Sequence, residues 1–83
     1  MNIIGPRAQY MRETQNLTQS ELVARCNLLG WDISRGTLAK IEARVRRVTD
    51  VEVMLLAKAL GTPVEQLFQA APNEPGEPAP SIR

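Results

Sequence analysis

Arg35, Lys40, Arg44, Arg46 and Arg47 lie within the fourteen residues 34–47, with Glu42 as the single acid among them. Five cations against one acid leave this stretch at +4, whereas the whole chain carries +1, so the basic charge is gathered in one place. Guanidinium and ammonium groups donate to phosphate oxygens and to the O6 and N7 acceptors on the edge of guanine. Ser34 and Thr37, in the same stretch, add hydroxyls that can reach a phosphate or a base. A positive face on a short helix, narrow enough to enter a groove, is the electrostatic footprint of a DNA reader.

Other chemistries find little to work with. There is no histidine, the commonest general base, and with one cysteine and no histidine a structural zinc site has no ligand set. No paired carboxylates, Gly-rich phosphate loop or metal cluster stand out, so no enzyme activity and no cofactor are expected. Cys26 cannot form an internal disulfide, which fits a reducing compartment and an expected cytoplasmic location. The N-terminus lacks a basic stretch followed by a long apolar run, and no segment approaches the ~20 apolar residues of a membrane span.

The cationic stretch must be held by helices. At 83 residues the chain makes one domain, and its single Trp, Tyr and Phe and lack of period-two β-branched runs give an all-α composition. A first helix is expected from near Pro6 to Gln15–Asn16, with Ile4, Ala8, Met11 and Leu17 on its inner side. Thr18 and Glu21 form a capping box for a second helix, whose inner positions are Leu22, Val23, Cys26 and Leu29 and whose stop is Gly30. Trp31-Asp32-Ile33 connect it to a short helix over 34–43, capped by Ser34, with Leu38 and Ile41 inward. Thr49 or Asp50 caps a fourth helix that buries Val53, Leu56, Ala57 and Leu60 and stops at Gly61. Pro63 opens a last short helix through Val64, Leu67 and Phe68. Four prolines and almost no apolar bulk mark 70–83 as a disordered tail, leaving 1–69 as the folded domain.

A helix, a tight connection and a short basic helix suggest a helix-turn-helix. The blocks Leu17-Thr18-Gln19-Ser20-Glu21-Leu22, Ile33 to Glu42, Leu56-Ala57-Lys58-Ala59-Leu60-Gly61 and Leu67-Phe68 together resemble the XRE or Cro/cI-type helix-turn-helix regulators of bacteria and phages, over about Ile4 to Phe68. The resemblance implies a lambda-repressor-like bundle of about five short helices and a sequence-specific DNA-binding regulator, such as a repressor, acting on double-stranded DNA as a homodimer. It implies that Gln19 bonds a backbone phosphate and braces the reading helix, that Arg35, Thr37 and Lys40 contact bases, and that Arg12 and Glu42 form an internal ion pair. Thr18, at the same helix end as Gln19, lies where N–H groups favour a phosphate.

Two departures stand out. Eleven residues separate Leu22 from Ser34, five more than is usual in the resembling family, which should add about one turn to the second helix and lengthen the connection. Arg44 stands where the family favours glycine; in a left-handed conformation it costs on the order of 1 kcal/mol.

Each residue also has a plainer reading. Arg44, Arg46 and Arg47 form either a solvated surface or a set of phosphate contacts; the absence of an acid between them and Asp50 favours phosphate. Lys40 can serve a base or only a phosphate, Thr37 can be a helix-surface residue, and Ser34 is above all a cap. Cys26 reads as a buried small hydrophobe and Trp31 as an apolar lid over the second helix, or else as an exposed anchor for a partner chain or a residue lying against the DNA backbone. Gly36 weakens its helix, and close approach to DNA would explain it. The dimer patch falls to Val64, Leu67 and Phe68 or to the Trp31 region. The alternative function is a protein-interaction module, an antitoxin or adaptor whose C-terminal tail folds on a partner.

Overall fold

Hydroxyl side chains open three of the four helices found in a computed structural model, which describes residues 3–69. Thr18, Ser34 and Thr49 each sit in extended backbone and accept a hydrogen bond from the N–H three residues on, at Glu21, Thr37 and Glu52. Glu21 and Glu52 return the bond to the N–H of Thr18 and Thr49, completing two capping boxes. They begin α2 (Gln19–Leu28), α3 (Arg35–Glu42) and α4 (Asp50–Leu60). The first helix, α1 (Gly5–Thr14), follows Ile4 and relies on Pro6 in its first turn instead of a side-chain cap.

All four helices stop in the same way. A residue in the left-handed region follows each: Asn16 (φ 59°), Gly30 (φ 93°), Arg44 (φ 67°) and Gly61 (φ 67°). The next N–H then bonds back five residues, from Leu17 to Arg12, Trp31 to Cys26, Val45 to Lys40 and Thr62 to Ala57. This closure satisfies carbonyls that would otherwise lack partners. Arg44 does so without glycine's freedom, at a cost on the order of 1 kcal/mol.

The last segment, Val64–Phe68, is a 3₁₀ turn. The fold is therefore all-α, with no strand among the described residues. α1 packs on α3, α4 and the 3₁₀ turn, and α2 packs on α3 and α4. Ile4, Leu22, Leu38, Ile41, Leu56 and Leu67 are fully buried at the centre, with Cys26 among them. Polar side chains from neighbouring elements close the C-terminal end of α4, where Arg25 Nη1 donates to the Ala59 carbonyl (3.2 Å) and Gln15 Nε2 to that of Leu60 (2.8 Å). Arg7 lies over the Tyr10 ring and donates to the Gln66 carbonyl.

Several sequence expectations need correction. Leu29 is not an inner residue of α2; the helix ends at Leu28 and Leu29 is 41% exposed, because the left-handed turn at Gly30 swings the chain away. Thr49, not Asp50, caps α4. Leu67 is wholly buried and unavailable as a dimer contact, whereas Phe68 is exposed. Trp31 is half-buried against the core. The long connection is pinned by Asn27, whose Nδ2 donates to the carbonyls of Trp31 (2.8 Å) and Ile33 (3.3 Å). The expected tail, 70–83, lies outside the described residues.

Candidate nucleic-acid interface

The candidate interface is built on a buried ion pair. Arg12 on α1 donates through Nε to Glu42 Oε2 (2.7 Å) and through Nη2 to Glu42 Oε1 (3.1 Å), while its Nη1 donates to the Leu17 carbonyl (2.7 Å). Both residues are buried, Arg12 at 8% and Glu42 at 5% exposure. Hydrogen bonding to Glu42 raises the Arg12 guanidinium above its ordinary range, more than burial lowers it. The pair ties α1 to the C-terminal end of α3.

Gln19, the first residue of α2, joins this pair. Its Nε2 donates to Glu42 Oε1 (3.0 Å). The NH₂ side of the amide, which can only donate, therefore faces Glu42 and the carbonyl side faces away. That carbonyl oxygen meets Arg35, whose Nη1 donates to it at 3.4 Å. A polar chain therefore runs from the interior through Arg12, Glu42 and Gln19 to the exposed N-terminus of α3.

On α3, Leu38, Ile41 and Glu42 face inward. The opposite side presents Gly36, Lys40 and Ala43, all exposed, beside the half-buried Ala39. Three of these four are the smallest residues available, which keeps the helix backbone near its own surface. Ser34 is fully engaged as a cap: its Oγ accepts from the Thr37 N–H and donates to Thr37 Oγ1, both at 3.1 Å. Thr18 is likewise occupied by its capping box.

The exit from α3 divides the arginines. Arg44 and Arg47 are exposed. Arg46 has a different part from the one expected. Its Nη1 and Nη2 donate to Glu52 Oε1 (3.0 Å) and Oε2 (3.1 Å), and Nη1 also donates to the Arg47 carbonyl (2.9 Å). This contact, above all, holds the Glu52 carboxyl below the usual carboxylate range and raises the Arg46 guanidinium. No acid stands between Arg47 and Asp50 in the sequence, but Glu52 reaches back to Arg46 from the first turn of the next helix. Arg46 thus clamps the α3–α4 loop to the N-terminus of α4. The signal in sequence is the capping box itself, which fixes where Glu52 must point.

The arrangement is a short helix with its N-terminal end and one small-residue face open, flanked by arginines. The family model described as helix-turn-helix matches residues 9–67. The chain belongs to the XRE or Cro/cI-type helix-turn-helix family. No curated protein and no solved structure matches it. The match takes in α2, α3 and the connection between them. Among the described residues no helix is long and apolar enough to cross a membrane.

Proposed function

We propose that this DNA-binding helix-turn-helix protein is a sequence-specific transcriptional regulator that reads the major groove with α3. The observation that carries the reading is the Gln19–Arg35 contact: a guanidinium at the exposed start of α3, steadied from the start of α2. Arg35 then pairs with a guanine edge, and Lys40 and Thr37 reach neighbouring bases. Thr18, Gln19 and Ser34 stand at the N-termini of α2 and α3, where the helix ends favour the sugar–phosphate backbone; the Thr18 N–H is itself held by Glu21, which leaves the contact to the next residues of the turn. Arg44 and Arg47 grip phosphates where the chain leaves the groove, and Arg46 shapes that loop through Glu52. One eight-residue helix makes few base contacts, so two copies on half-sites about one helical turn apart complete the specificity.

The test is selection of bound sequences from random DNA, repeated with Arg35→Ala and Arg47→Ala. Arg35→Ala relaxes preference at one base position, at about 1–3 kcal/mol of discrimination. Arg47→Ala weakens all sites alike and lowers the log–log salt slope by about one contact's worth, roughly 0.9. The reverse pattern overturns the assignment, and a salt-independent interaction overturns DNA binding itself.

A further inference from the structure

α4 is apolar on two sides. Val53, Leu56, Ala57 and Leu60 pack into the core. On the opposite side Val51, Met54 and Leu55 follow one another at helical spacing; Val51 is 64% and Met54 55% exposed, and Leu55 is half-buried. Exposed apolar residues grouped on one face, unlike single scattered ones, mark an interaction surface. The stripe ends in opposite charges, Asp50 in the first turn and Lys58 in the last, both exposed, and neither is in the ion pairs found among the described residues, Arg12 with Glu13 and Glu42 and Arg46 with Glu52.

We infer that this face of α4 pairs with the same face of a second copy of the chain, antiparallel about a two-fold axis through Met54. Asp50 and Lys58 each stand four positions from Met54, so reversing the helix direction sets Asp50 of one copy against Lys58 of the other, twice over. Val51 and Leu55 close the apolar strip beside the axis. A two-fold interface has to be self-complementary in this sense. The exposed Leu28 and Leu29 fail the same requirement: the groove they line is flanked by Arg25 and Lys58, both cations, which would oppose like charges in a self-pairing. An eleven-residue helix spans only about 16 Å, and the contact falls short of the ~1,000 Å² of a firmly held interface. Pairing is therefore concentration-dependent in solution, and two adjacent half-sites strengthen it by raising the effective concentration.

The inference builds on the two-fold DNA reading above, but its test uses no DNA, so the two can fail separately. A residue on a two-fold axis meets its own counterpart. Met54→Cys is expected to give disulfide-linked dimers under mild oxidation, and Phe68→Cys at least about tenfold more slowly, since a disulfide needs Cβ atoms ~4 Å apart. Cys26 is buried and does not compete. In sedimentation, Met54→Glu is expected to remain monomeric where the unsubstituted chain associates, with an unchanged circular dichroism spectrum. Asp50→Lys chains mixed with Lys58→Glu chains are expected to associate better than either alone. Met54→Cys linking no faster than Phe68→Cys, Met54→Glu associating like the unsubstituted chain, or a mixture no better than its components would each overturn the inference.

Discussion

Gln19 Nε2 lies 3.0 Å from Glu42 Oε1 and donates to it. This bond aims the other end of the amide. With its nitrogen committed to a buried carboxylate, Gln19 offers only oxygen to Arg35, and a guanidinium only donates. The charge that locks the helices together thus also steadies the side chain proposed to read DNA. Stability and recognition share Glu42, and they can be separated experimentally.

Arg12→Leu leaves the Glu42 carboxylate buried without its partner. Loss of about 3–5 kcal/mol in urea unfolding is expected. Arg12→Leu combined with Glu42→Leu removes both charges and is expected to recover most of that loss, because apolar replacement of a buried pair is often close to neutral. A double variant as unstable as the single one would show that the pair is irreplaceable in this core. The double variant should still bind DNA less selectively, since Gln19 loses its anchor.

The Arg46–Glu52 contact predicts a pH dependence. Glu52 has a lowered folded-state pKa, owing first to the Arg46 hydrogen bond, so it is deprotonated more readily in the folded than in the unfolded chain. The stability it contributes is complete above the ordinary carboxylate value of about 4.3 and is lost as pH falls through the lowered folded value. Thermal melts of the unsubstituted chain and of Glu52→Gln are expected to differ at pH 7 and to converge on acidification below that value. A gap that stays constant down to the acid limb would rule out this linkage.

Cys26 reports on opening of the core. Burial pushes its thiol up to about 11. At pH 8 iodoacetamide is expected to leave the folded protein unmodified and to label it in urea in step with unfolding, because the thiolate is the nucleophile. Rapid labelling in buffer, followed by mass spectrometry, would mean that α2 opens locally.

Gly36→Ala separates folding from approach. A Cβ at this position would meet only Ser34 Oγ, at 3.9 Å, so the protein itself has room for it. Chemical denaturation is expected to show a gain of about 1 kcal/mol from helix propensity. DNA affinity is expected to fall, since the added methyl stands on the open face of α3. Unchanged affinity would mean that the helix backbone does not come close to the groove at Gly36.

The helix starts were legible because their causes are local. A Thr followed three residues later by Glu specifies a capping box within four residues, as Thr18–Glu21 and Thr49–Glu52 show. The stops at Asn16, Gly30 and Gly61 could be read for the same reason: few residues accept a left-handed backbone. Leu29 was misplaced because helical periodicity does not state at which turn the helix ends. The Arg12–Glu42 pair entered through family resemblance; nothing in the spacing of two residues thirty apart reveals a contact.

Composition and order alone settled the helical class, the helix boundaries to within a residue or two, and the gathering of positive charge on one short helix, because capping, periodicity and charge count act over a few neighbouring residues. Three-dimensional packing determined that Gln19 links Glu42 to Arg35, that Glu52 takes up Arg46, that Leu67 is buried while Phe68 is not, and that α4 keeps an apolar face toward solvent. Each of these depends on how separate helices are oriented against one another, and that orientation is set by the shared core rather than by any local stretch of chain.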